Sequence, residues 1–108
     1  MCNLKSVDYI ALMQKEVPSC IQVAGEVNIA NIDSFNDILN RAITSNSNDL
    51  TIDFSKLTYI DSQGLNVLSA IYSRMKEQNR KIFLLNTNEN IKKLLRILGL
   101  DKYLHILN

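Results

Sequence analysis

The side chains able to do chemistry are concentrated in Ile60-Asp61-Ser62-Gln63-Gly64-Leu65, where an apolar run gives way to a helical pattern. A serine beside an aspartate at such a junction can cap a helix, since either side-chain oxygen can accept from the first free amides. Gly64 allows the backbone to turn there or to approach a neighbour closely. Capping alone accounts for these residue types. The same position also suits a phosphate, because a helix start carries the positive end of the dipole and amides that favour an anion. A phosphate on Ser62 would add about −1.5 to −2 charges and change any protein interface covering it, making a binding switch from one local event.

Other candidates reduce to structural roles. Asp53 and Asp61 could form a carboxylate pair or hold a metal, but no His or further acid lies near them in sequence, so Asp61 is expected to order the turn and the helix start. Cys2 and Cys20 match no metal or redox spacing and are read as reduced, with Cys20 packed in the core as a small hydrophobe. His105 lies between Leu104 and Ile106 and is expected to face the surface of a short terminal strand. Lys92, Lys93 and Arg96 fall on the outer side of the last helical pattern, a solvated face. The three glycines, Gly25, Gly64 and Gly99, stand alone, so no phosphate-cradling loop exists. No catalytic constellation can be assembled, and neither a cofactor nor a metal is expected.

The elements that must position Ser62 follow from periodicity. Two apolar runs at residues 8–14 and 19–24, separated by Val17-Pro18, predict an antiparallel hairpin. Ile32, Phe35, Ile38, Leu39, Ala42 and Ile43 define one face of a first helix, and the Ser/Asn-rich residues 44–49 form a loop. Residues 50–54 read as a buried strand, Ser55-Lys56 as a turn, and residues 58–60 as a second short strand. The helix that starts near Ser62 has Leu65, Leu68, Ile71, Tyr72 and Met75 on its inner face. Residues 82–85 make a strand, Thr87 or Asn88 caps a last helix with the face Ile91, Leu94, Leu95 and Leu98, and Gly99 ends it in a left-handed conformation. A final apolar piece spans residues 103–107. This alternation predicts an α/β fold: a mixed sheet of about four to five strands, with an N-terminal antiparallel hairpin, flanked by three to four helices through right-handed crossovers.

Size and composition limit the function classes. The 108 residues suffice for one compact domain, 1–108, and 46% hydrophobic with 21% charged residues is an ordinary globular balance. The formal net charge of +1, from twelve basic and eleven acidic side chains, supplies no field to gather nucleic acid or an anionic membrane. No apolar stretch approaches the roughly 18–20 residues of a spanning helix, and no signal-peptide pattern follows the first residues, so a cytoplasmic location is expected.

Three short strings in order carry a family resemblance. Leu50-Thr51-Ile52-Asp53-Phe54-Ser55 followed by Tyr59-Ile60-Asp61-Ser62-Gln63-Gly64-Leu65 closely resembles the STAS family pattern of a buried strand with Asp, a short turn and Ile-Asp-Ser-x-Gly-Leu. Gly25-Glu26-Val27-Asn28 resembles the family's Gly-Glu-Leu-Asp, and Leu98-Gly99-Leu100-Asp101 its late Gly-Leu-Asp. The resemblance implies a STAS-like fold and an anti-sigma factor antagonist. In its unphosphorylated form such a protein binds an anti-sigma factor with serine kinase activity and releases the sigma factor. Phosphorylation, carried onto Ser62, switches binding off, and a phosphatase restores it; the antagonist itself catalyses nothing. The partner-binding residues implied are Asn28, Asp61, Ser62, Gln63, Gly64 and Asn66. Three depart from the family: Asn28 replaces Asp, Gln63 stands where Ser, Thr or Ala is commoner, and Asn66 stands where Gly is frequent. A STAS subunit serving as scaffold in a signalling assembly or lipid transporter is the alternative, with Ser62 then mainly a cap.

Overall fold

A computed structural model describes residues 20–45 and 47–107. Their elements are β1 (Cys20–Val27), α1 (Ile32–Ser45), β2 (Leu50–Ile60), α2 (Ser62–Glu77), β3 (Ile82–Leu85), α3 (Glu89–Ile97), a 3-10 turn (Leu100–Lys102) and β4 (His105–Leu107). The strands lie side by side in the order β1-β2-β3-β4, and every pairing is parallel. Each step is therefore a βαβ crossover to the adjacent strand. Because such crossovers are right-handed as a rule, a monotonic strand order places the connecting helices on one face of the sheet.

The expected mixed sheet with an antiparallel hairpin is thereby corrected. The part of its second arm that is described belongs to β1, which runs on to Val27 and pairs in parallel with β2. The chain does not fold straight back after this strand; α1 carries it to the starting end of the sheet, so β2 must run the same way. The first arm, residues 8–14, lies outside the described residues, as does Cys2. Cys20 also departs from the expected core position, being half-buried. In β1 Ile21 and Val23 fill the core positions, and the two-residue period turns Cys20 away from them.

Ser55-Lys56 is likewise no turn. β2 continues through both residues, and its register against β1 slips between Asp53, opposite Gln22, and Lys56, opposite Ala24. The extra residue is absorbed as an irregularity inside one eleven-residue strand rather than as a break between two.

The core lies between sheet and helices. Ile21 and Val23 of β1, Leu50, Ile52 and Phe54 of β2, and Ile82 and Leu84 of β3 meet Phe35, Ile38, Leu39, Ala42 and Ile43 of α1 and Leu65, Leu68, Ile71 and Met75 of α2. These helix positions recur at three- and four-residue steps, which is why the sequence pattern located them. Arg80 closes the opposite end of this layer. Its buried guanidinium donates to Ile43 O at 2.9 Å and to Asn48 O at 2.9 and 2.7 Å, joining the end of α1 and the following loop to the α2–β3 connection.

Candidate functional site

The carboxyl end of a parallel sheet is where the loops between strand and helix gather. Ser62 stands there as the first residue of α2, exposed. Asp61 is the cap: with φ −93° and ψ −177°, its Oδ1 accepts from Gln63 N at 3.0 Å and Gly64 N at 3.1 Å. Its own backbone N–H donates to Val27 O at 3.0 Å, which ties the end of β2 to the end of β1. Of the two residues that could cap, the aspartate does so and the serine hydroxyl is left outward.

Gly64 is demanded by packing. A Cβ there would sit 2.5 and 2.8 Å from Ile60 Cγ1 and Cδ1 and 2.9 Å from Val27 Cγ1, closer than carbon atoms approach. The first turn of α2 thus lies directly on the two strand ends, two residues after Ser62.

Asn28 orders the neighbouring β1–α1 loop. Its Oδ1 accepts from Ala30 N at 2.9 Å, its Nδ2 donates to Glu26 Oε1 at 3.3 Å, and its backbone N–H donates to Asn31 Oδ1 at 3.0 Å. Asn31 Nδ2 donates in turn to Glu26 O at 2.7 Å. The Val27–Asp61 bond sets this loop beside the start of α2. Gln63 and Asn66 face the other helix, lining a shallow cleft with Ile32, Asp33 and Asn36 of α1. Ser62 and Asp61 instead border a groove of about 270 Å³ with Tyr59, Leu65, Ile97 and Leu98. Ser62 and Asn66 are one turn apart, yet they flank different depressions.

The groove beside Ser62 is a feature that the sequence pattern missed. Leu94 and Leu98, expected on the buried face of α3, are 36% and 54% exposed, and they stand with Ile97 at 71% and Tyr59 at 51%. Ile91 and Leu95 alone fill the core side of α3. A signal was present: Ile91, Leu94, Leu95, Ile97 and Leu98 form a stripe wider than one buried face requires. The helix ends are as expected, with Asn88 Oδ1 accepting from Ile91 N at 2.9 Å and Gly99 left-handed at φ +76°.

The remaining candidates do not join this site. Asp53 lies mid-strand and buried, with Oδ1 accepting from Ser55 N at 2.9 Å and Asn86 Nδ2 at 3.2 Å, and Oδ2 facing Gln22 Nε2 at 3.5 Å. Desolvation by burial pushes its pKa up, but hydrogen bonds from the Ser55 backbone, the Asn86 and Ser55 side chains and Gln22 outweigh it and hold the carboxyl below its ordinary value. It joins β2 to Gln22 of β1 and to Asn86 just beyond β3 rather than pairing with Asp61. Lys92 pairs with Glu89 at 3.3 Å, His105 is exposed with its ring 5.2 Å from that of Phe83, and no group of three His, Cys, Asp or Glu among the described residues could hold a metal ion. Nor is any described helix long and apolar enough to cross a membrane.

Comparison with known proteins agrees with this architecture. The chain is 20% identical over 86 residues to an anti-sigma-B factor antagonist of Staphylococcus aureus, covering 80% of each. A putative anti-sigma factor antagonist from Thermotoga maritima superposes with a TM-score of 0.73 at 23% identity, over 87% of this chain and 83% of that one. The Bacillus cell fate determinant SpoIIAA in its phosphorylated form gives a TM-score of 0.64 at 18% identity, over 82% and 81%. Residues 9–108 match the STAS domain model, and with the strand-to-helix junction at Asp61-Ser62 and the fold around it they show that this chain belongs to the STAS domain family.

Proposed function

We propose that this protein is a cytoplasmic anti-sigma factor antagonist whose unphosphorylated form binds an anti-sigma factor with serine kinase activity and so releases the sigma factor. Phosphorylation of Ser62 ends the complex and a phosphatase restores it. The antagonist is substrate and binder, with no catalysis of its own. The observation that carries this reading is the placement of Ser62: outward-facing, relieved of capping by Asp61, and at the rim of an exposed apolar groove. Similarity to anti-sigma factor antagonists supports it, as does a relative whose structure is known in a phosphorylated form.

The geometry sharpens how a phosphate would act. The amides of Gln63 and Gly64 already serve the Asp61 carboxylate. A phosphate on Ser62 would therefore add about −1.5 to −2 charges beside an existing negative charge, and the result at a contact surface is repulsion and costly desolvation. In this reading Asn28, Asp61, Gln63, Gly64 and Asn66 surround the contact, with Asn28 and Gly64 shaping it from within.

The test is incubation with the kinase-type anti-sigma partner and ATP, followed by mass spectrometry and binding measurements. One phosphate at Ser62, loss of partner affinity on phosphorylation or in Ser62→Asp, and retained affinity in Ser62→Ala are expected. Undiminished binding by the phosphorylated protein would overturn the reading.

A further inference from the structure

A second site lies at the opposite end of α2. From Ser62 to Lys76 the helix advances by about 21 Å at 1.5 Å per residue, so the two ends share no surface. There, a cleft of about 450 Å³ is lined by side chains from four segments, among them Lys76 of α2, Lys81 just before β3, Lys102 of the 3-10 turn and His105 of β4. This volume falls in the range of about 300–1,000 Å³ usual for small-molecule pockets. No acidic residue lines it; Glu77 and Asp101, adjacent in sequence to two of the lysines, do not. Neither ion pair found among the described residues involves these lysines, and all three are exposed.

A favourable interaction with the end of the helix dipole explains Lys76, which lies in the last turn of α2. It does not explain why Lys81 and Lys102, from two other segments, converge on the same hollow. Asp49 is the one acid bonded to this set, its Oδ1 accepting from the Lys81 backbone N–H at 2.9 Å, and it does not line the cleft. Three like charges gathered against one repel one another, and a bound anion relieves that repulsion. The Arg80 guanidinium lies at the same cleft, anchored by backbone carbonyls and Gln78. One wall is aromatic: Tyr72 and Tyr103 pack with ring centroids 5.1 Å apart, offering an apolar surface beside the charges.

We propose that this cleft binds a small phosphorylated molecule bearing at least two phosphate charges, held by Lys76, Lys81 and Lys102, with its organic portion against Tyr72 and Tyr103. A single monoanion would engage one lysine; several phosphate oxygens can engage all three. The site is independent of the Ser62 switch and stands or falls separately from it.

The experiment is isothermal titration calorimetry of the whole protein with inorganic pyrophosphate, repeated at rising salt, together with amide chemical-shift mapping. One pyrophosphate per chain is expected, with affinity falling as salt rises and shifts confined to residues 72–81 and 102–105. Lys76→Glu/Lys102→Glu, a pair of exposed changes, should weaken binding by about tenfold or more, and Lys81→Gln by a smaller factor, whereas Ser62→Ala should bind as the unaltered protein does. Absence of saturable binding at low salt, or equal affinity in the charge-reversed variant, would overturn the proposal. So would sedimentation with phosphatidylglycerol vesicles in the absence of pyrophosphate binding, since the cations would then serve a lipid surface.

Discussion

Asp61 and Ser62 stand side by side but do different work, and mutation should separate them. Asp61→Ala removes the acceptor for two orphan amides at the start of α2 and should destabilise the protein by about 0.5–2 kcal/mol in urea unfolding. Ser62→Ala removes an exposed hydroxyl that caps nothing and should stay within about 0.5 kcal/mol of the unaltered protein. A loss at Ser62 as large as that at Asp61 would mean that the hydroxyl shares the cap. Asp53 makes a different residue-scale prediction. Its carboxyl titrates below the ordinary 3.8, so the folded state binds fewer protons there than the unfolded chain. The stability this contributes is fully present above pH 3.8 and is lost as the pH falls through the lower folded value. Melting temperatures followed from about pH 5 to pH 2 should therefore fall less steeply for Asp53→Asn than for the parent. Identical slopes would show that Asp53 contributes nothing to acid sensitivity.

At the scale of elements, Gly64 shows how the start of α2 is seated. A Cβ 2.5 Å from Ile60 Cγ1 forces either the strand side chain or the helix to move, and Gly64→Ala should cost about 1–3 kcal/mol as overpacking, even though alanine is the better helix former. Thermal melts compare the two; a stabilised variant would mean that α2 sits further from β1 and β2 than described. Sequence reasoning reached this segment well, because helical spacing, a capping residue and a strand end coincide within six residues. It also located α1, α2 and β3. It broke β2 at Ser55-Lys56, since two polar residues between apolar runs resemble a turn, and only pairing with β1 shows that the strand carries them. It buried Leu94 and Leu98 because periodicity reports which residues share a face, not whether anything covers that face. Strand direction was hidden for the same reason: it depends on which strands pair, and residues 20–24 read alike in a hairpin arm and in a parallel strand. Arg80 reads in the sequence only as a polar residue bounding β3, as nothing in a lone arginine foretells the carbonyls that will gather round it.

Among the described residues, four of the seven large apolar side chains left exposed gather in one place, and Ile29, Tyr103 and Leu107 lie elsewhere. Tyr59, Leu94, Ile97 and Leu98 stand together at the end of the sheet where Ser62 emerges, while the cationic cleft occupies the far end of α2. Contiguous exposed apolar side chains rimmed by polar ones mark contact surfaces, and here the rim includes the one serine proposed to change its charge. If the anti-sigma partner docks across this groove, a charge placed on its apolar wall should mimic the proposed effect of the phosphate on its edge. Ile97→Asp is the suitable change, because that side chain is 71% exposed and contributes little to the core. Its expected signature is a loss of partner affinity of about tenfold or more, with unfolding free energy within about 0.5 kcal/mol of the parent. Phosphorylation at Ser62 should add little further loss in that variant, since residues in one contact couple when altered together. Titration calorimetry of the four combinations measures this coupling. Full affinity in Ile97→Asp would remove the groove from the interface and leave the partner to contact Ser62 from the α1 side, through Gln63 and Asn66.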